Sequence, residues 1–202
     1  MTRRSAYMQD RDILSSRSPY FAVAAKEEWK EGQDCRVPLP DDEHVAVEFY
    51  VQWIYTGKIF SRPSTKGEDS TELSDLVGAF IFGEKVQDAD FRDAVVDSLI
   101  VSVHTPDEKE ECWYPTGSTV DKAYDGTPEG SPLRRLMVDL HLHHGRQAWL
   151  VDVKSVDFMR DLAGELYLDR DRERQTDPTA SHLNSCGYHL HGEALPCYSE
   201  IL

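Results

Sequence analysis

The chain has 202 residues, with 22 Lys and Arg against 37 Asp and Glu, a formal charge of −15, and 40% hydrophobic side chains. That apolar share can build a core for one or two domains and excludes a chain that is disordered or fibrous throughout. The acidic balance argues against nucleic acid and anionic membrane as partners, because polyanions are held by basic patches.

Four cysteines, Cys35, Cys112, Cys186 and Cys197, are too few for a disulfide scaffold, and no Asn-x-Ser/Thr acceptor is present. The basic N-terminus has no apolar stretch behind it, and no apolar run reaches the roughly 20 residues that cross a bilayer. These features predict an intracellular protein of the cytoplasm or nucleus.

In chain order, Ser18 followed by Pro19 is an N-cap before the residue best tolerated at the first helical position, so a short helix is expected through Tyr20, Phe21 and Val23. Cys35, Val37 and Leu39 alternate with Arg36 and Pro38 as in a short edge strand. A helix is expected to open at Pro40, Asp41 and Asp42 and to carry Val45, Ala46, Phe49, Tyr50, Trp53 and Ile54 inward. Gly57 closes it as a left-handed cap, and residues 61–70 form a loop.

Leu73, Leu76, Val77, Phe80 and Ile81 form the next helical stripe, closed by Gly83, and Asp88 caps a helix carrying Phe91, Val95 and Leu99. Residues 104–132, rich in Pro and Gly with an acidic run from Asp107 to Glu111, read as a linker or long loop. Ser131 and Pro132 start a helix with Leu133, Leu136, Met137 and Leu140 inward. Ser155 caps another, expected to face Phe158, Met159, Leu162 and Leu166 to the core and to continue as a solvated charged end from Asp169 to Arg174. The tail from Asp177 is expected to be irregular. The predicted organisation is therefore residues 1–103, a linker at 104–132, and a mainly helical region at 133–202.

Several separated blocks carry a family resemblance. The run from Asp12 to Phe21 with Ser18, Pro19, Tyr20 and Phe21, the segment Trp29 to Glu31, the run from Val37 to Asp41, and the run from Val51 to Gly57 with Trp53, Tyr55 and Gly57 resemble a BTB/POZ domain in order and spacing. Residues 79–88 resemble the helix and turn that follow. Leu133 to Asp139 and Phe158 to Leu162 resemble the C-terminal extension of BTB proteins abundant in filamentous fungi, as does the element from Tyr188 to His191.

The resemblance implies an α+β fold: a BTB/POZ-like helical cluster with a small, incomplete sheet, followed by a mainly helical C-terminal region. It also implies a non-enzymatic protein–protein interaction module that pairs with itself or with other BTB-domain proteins. The family's domain begins with a strand hairpin ahead of the Ser18 to Phe21 block. That block lies so near Met1 that the hairpin is expected to be missing, with Val37 and Leu39 left exposed for a partner. Trp29 and Glu31 resemble the loop with which cullin-docking BTB domains engage their scaffold, which implies a substrate adaptor of a ubiquitin ligase as an alternative. Core closure by Trp29 is the bland reading of the same residues.

No nucleophile elbow, phosphate-cradling loop, His-Glu-x-x-His or dinucleotide fingerprint occurs. The one metal-like constellation is Cys186, His189, His191 and Cys197, which places two thiols and two imidazoles within twelve residues, the ligand types zinc takes. Its spacing is tighter than that of a standard finger, and an ordinary tail is the alternative. No other cofactor is expected. His141, His143 and His144 share a helix, where exposed histidines without a metal are the usual outcome. The carboxylates of Glu110, Glu111 and Asp41 to Glu43 lie in polar segments with no base beside them.

Overall fold

The computed structural model describes residues 5–7, 11–34, 36–61, 71–169, 179, 182–191 and 195–200. It is helix-rich with little sheet. Cys35 and the charged run at 170–174 lie outside the described residues.

Two short strands, β1 (Ser5–Tyr7) and β2 (Arg36–Pro38), pair antiparallel with Ala6 opposite Val37. Val37 and Leu39 are buried, so the expectation that they stand exposed is corrected: they turn into the helical core. The three residues of β1 carry no alternation long enough to be read from sequence.

Next come α1 (Arg11–Arg17) and α2 (Pro19–Ala24). The Ser18 hydroxyl accepts from the Phe21 amide at 3.2 Å, as an N-cap does, and donates to the Val86 carbonyl at 2.5 Å. The cap therefore also fastens this block to the far end of another helix. A single turn, α3 (Lys30–Gln33), follows. Gly32 there lies so close to the end of α2 that a Cβ would sit 2.1 Å from the Lys26 carbonyl oxygen.

Helix α4 (His44–Thr56) has Glu43 as its N-cap and so starts later than Pro40 to Asp42 suggested; Asp42 and Glu43 form ion pairs with Lys85 (2.6 Å) and Lys122 (2.7 Å). Gly57 caps it in the left-handed region at φ 64°, its amide reaching the Trp53 carbonyl at 2.8 Å. Trp53 is fully buried, Tyr50 and Phe21 nearly so, and Tyr55 is exposed.

Helix α5 (Thr71–Val86) runs through Gly83, contrary to the expected stop. A Cβ at Gly83 would fall 2.6 Å from Arg92 Cγ and 3.0 Å from Phe91 Cδ1, so glycine there permits close packing against α6 (Ala89–His104) rather than ending the helix. The stop is at Gln87, in the left-handed region at φ 58°, with the Asp88 amide bonded to the Gly83 carbonyl at 3.2 Å. Asp88 caps α6 through the Phe91 amide at 2.9 Å and accepts the Tyr50 hydroxyl at 3.2 Å.

The linker expected at 104–132 is corrected. Its acidic run is an ordered turn in which Asp107 Oδ1 accepts the Lys109 and Glu111 amides, at 2.8 and 3.0 Å. Its second half is a helix, α7 (Gly117–Gly126), which buries Val120, Ala123 and Tyr124 in the common core. Glycines at both ends and only ten residues hide the helix from a periodicity reading. Arg134 reaches back from α8 (Pro132–His144), its Nη2 donating to the Tyr124 carbonyl at 2.7 Å and its guanidinium 4.7 Å from the Tyr124 ring centroid. Asp121 on α7 accepts the amides of Lys154 and Ser155 at 2.9 and 2.8 Å.

Ser155 caps α9 (Val156–Asp169), with the Phe158 amide 3.2 Å from its hydroxyl. Phe158 and Leu162 are buried, but Met159 is 40% and Leu166 50% exposed, because α9 touches the core along a narrow stripe at the edge of the molecule. The tail forms two short 3-10 turns, His182–Tyr188 and Tyr198–Glu200. Among the described residues, one contiguous apolar cluster runs from Leu14 to Tyr188 and includes side chains of every helix from α4 to α9.

His141 on α8 is buried, its Nδ1 2.9 Å from the Met137 carbonyl and its ring against Phe158 and Trp149. Burial holds its pKa below the ordinary 6.5, although the Met137 hydrogen bond opposes the shift. Protons therefore bind the unfolded chain better at this site. Its contribution to stability is complete above the unfolded pKa and is lost as pH falls through it toward the folded value.

Two outcomes follow from this packing. Asp88→Ala removes the α6 cap and strands the buried Tyr50 hydroxyl, and should cost about 2–3 kcal/mol by urea denaturation, with Asp88→Asn costing less because it keeps a capping oxygen. His141→Phe should flatten the fall in unfolding free energy between about pH 7 and pH 5 relative to the native chain, measured by denaturation at each pH. An unchanged slope would mean that His141 does not titrate on unfolding.

Candidate metal centre

Two groups of sequence-predicted residues stand at opposite kinds of surface. Trp29 is the residue before α3, backbone extended, and is 53% exposed. It does not close over its own core. Glu31, half-buried, sits within the single turn of α3, whose position is set by the Gly32 contact and by Gln33 Nε2 donating to the Glu27 carbonyl at 2.9 Å.

Cys186, His189, His191 and Cys197 are brought together. One ligand atom from each lies within 4.8 Å of every other. His189 Nδ1 is 3.3 Å from His191 Nε2 and 3.5 Å from the Cys197 sulfur. The first three residues belong to the 3-10 turn His182–Tyr188 and the bend after it, and Cys197 immediately precedes the second turn. Tight turns explain how so cramped a spacing can converge: each reverses the chain within a few residues.

The surroundings hold the cluster in place. Asp97 on α6 accepts the other nitrogen of His189 at 2.8 Å and the Tyr198 hydroxyl through its second oxygen. Asp93, one turn earlier, accepts the Leu190 amide at 2.7 Å. Ser199 donates its hydroxyl to the Cys197 sulfur at 3.2 Å. The His189 side chain is 1% exposed, and Tyr198 packs edge-on against Trp53, ring centroids 5.4 Å apart. Tyr188 anchors the same turn to α8 by donating to Asp139 at 2.7 Å.

The charges respond accordingly. Burial pushes the Asp93 carboxyl up to about 6 against the Leu190 amide bond. At Asp97 burial acts upward too, but hydrogen bonds from His189, Ser185 and Tyr198 outweigh it and hold the carboxyl below its usual range. Burial opposes the charged form of His189, yet the hydrogen bond and charge of Asp97 raise its pKa. Burial and the neighbouring Cys197 raise the Cys186 thiol. At Cys197 the bonds from Ser199 and His189 overcome burial and favour the thiolate.

His141, His143 and His144 do not join this cluster. His141 is a core residue, and His144 stacks on Tyr114 at 4.7 Å, which itself stacks on Trp149 at 5.3 Å. Asp93 and Asp97 were missed from sequence. Their signal was available: two carboxylates four apart on an otherwise apolar helix face. The motif residues Ser18, Phe21, Trp53 and Gly57 are caps and core, Pro19 is the exposed first residue of α2, and Tyr20 and Tyr55 edge the surface. Comparison with family models, with curated proteins and with solved structures found no match.

Proposed function

We propose that this chain is a protein–protein interaction module of BTB/POZ type that associates with itself or with another BTB chain. The observation that carries the reading is Trp29, 53% exposed at the residue before the one-turn helix α3, whose backbone at Gly32 is pressed against Ala25 and Lys26 just after α2. A large aromatic displayed on a rigid element is an effective anchor, since little conformational entropy is lost when it docks. The order of the Ser18 to Phe21, Trp29 to Glu31 and Trp53 to Gly57 blocks supports the family assignment. So does the way the first and last of them serve as cap, core and helix stop. A two-fold pair would be the expected form of self-association.

The second reading, a substrate adaptor for a cullin scaffold, is favoured by the same exposure. Trp29 would fill an apolar pocket and Glu31, two residues on, would meet a basic group of the scaffold. Neither reading uses a catalytic residue.

The expected result of light scattering on the purified chain is a concentration-dependent dimer. In an affinity pull-down, Trp29→Ala with Glu31→Ala should weaken capture of the partner by about 30-fold, equivalent to about 2 kcal/mol, at unchanged circular dichroism. Recovery of a cullin that is lost in the variant gives the adaptor reading first place. A monomer whose partners are indifferent to both substitutions overturns both readings.

A further inference from the structure

Beyond the interaction reading, and independent of it, we infer that Cys186, His189, His191 and Cys197 bind a structural zinc ion that locks the C-terminal turns onto α6 and Trp53.

The distances carry the case. For a tetrahedral zinc with bonds of about 2.0 Å to imidazole nitrogen and about 2.3 Å to thiolate, neighbouring donors lie about 3.3 to 3.8 Å apart. The two nitrogens here are 3.3 Å apart, the nitrogen–sulfur pair 3.5 Å, and all four donors fall within 4.8 Å. Hydrogen bonds account for the His189–His191 and His189–Cys197 pairs, whereas one cation accounts for all four donor atoms lying within 4.8 Å of one another.

The tautomer agrees. With Asp97 accepting from His189 Nε2, loss of the Nδ1 proton to a metal leaves a neutral ring whose lone pair at Nδ1 faces His191 and Cys197. A histidine held at its outer nitrogen by a carboxylate is the usual support for a metal-ligating imidazole. Ser199 at the Cys197 sulfur plays the same part for the thiolate. Two thiolates balance the charge of Zn²⁺, so the loaded cluster is neutral and costs little beside the buried His189 and Cys197, while Cys186 stays exposed. Binding forms two Zn–S and two Zn–N bonds and sends two protons to solvent, one from the Cys186 thiol and one from the Cys197–His189 pair.

The donor set is full at four protein ligands, which marks a closed structural site. Its place gives it a task. The turn bearing Cys186 and His189 and the turn bearing Tyr198 meet through it. Both are then tied to α6 by Asp93 and Asp97, and Tyr198 is laid against Trp53 of α4. The ion thus closes the end of the chain over the helices built from its first half.

The test uses the full chain, purified with reductant, stripped by chelator and titrated with zinc alone. About one zinc per chain is expected. Cobalt in its place should give the visible bands of a tetrahedral site and a thiolate-to-cobalt charge-transfer band. Zinc should slow amide hydrogen exchange at Leu190 and at Tyr198–Glu200. Cys197→Ser should abolish the charge-balanced site, Cys112→Ser should leave it intact, and Asp97→Asn should weaken zinc binding by about 10- to 100-fold, as loss of a ligand's supporting carboxylate does. The inference is overturned by less than about 0.2 zinc per folded chain, by exchange that ignores zinc, or by a Cys186–Cys197 disulfide in freshly isolated protein. The titration of the native chain decides the matter even where a variant does not fold.

Discussion

The carboxyl of Asp88 is the constraint on which the helical cluster depends. It caps α6, accepts the hydroxyl of Tyr50 from the middle of α4, and follows the left-handed Gln87 that ends α5. Three helices therefore share one buried polar group. Burial raises its pKa, against the bonds from the Phe91 amide and Tyr50 that favour the charged form. Ser18 adds a fourth attachment one turn away by donating to the Val86 carbonyl. Around these bonds the rings of Phe21, Phe82 and Phe91 enclose Tyr50 at centroid distances of 5.0 to 5.9 Å. The directional bonds set which faces meet, and the aromatic burial supplies most of the driving force.

The metal-type cluster inherits its position from that arrangement. Capping at Asp88 fixes where α6 begins, and so places Asp93 and Asp97 one turn apart on the side that receives the tail. The Leu190 amide and the His189 ring then have single partners on a rigid helix. Trp53, held by Gly57's cap at the end of α4, offers the surface against which Tyr198 closes. Trp29 belongs to a different part of the molecule, just before α3, so the proposed interaction through it and the proposed metal site at the tail use separate residues.

Much of the helical architecture was legible. Apolar spacing around Tyr50 and Trp53, around Leu76 and Phe80, and from Leu133 to Leu140 marks buried faces, and the caps at Ser18, Asp88 and Ser155 act where their residue types say they should. What failed did so for stated reasons. Gly83 reads as a stop but is a contact point between α5 and α6, since a glycine's lack of Cβ serves either purpose. Helix α7 is too short and too glycine-bounded to announce itself. Met159 and Leu166 lie at helical core spacing yet face outward, because spacing tells which residues share a face and not whether a neighbour covers it.

The candidate site divides along the same line. Residue type and order singled out Cys186, His189, His191 and Cys197, because two thiols and two imidazoles within twelve residues are the ligand types zinc takes, with an ordinary tail as the alternative. Asp97 stands 92 residues from His189 in the chain, and no local pattern joins them. By itself, the sequence determined most of the longer helices, several of their caps and the cluster of candidate donors, since these follow from side-chain chemistry over neighbouring positions. Tertiary structure alone decided that α7 is core, that Val37 is buried, that Trp29 stands in solvent, and that four donors meet at one point beside Asp97. Each of those depends on which distant surfaces pack together, and packing is settled by the whole chain at once.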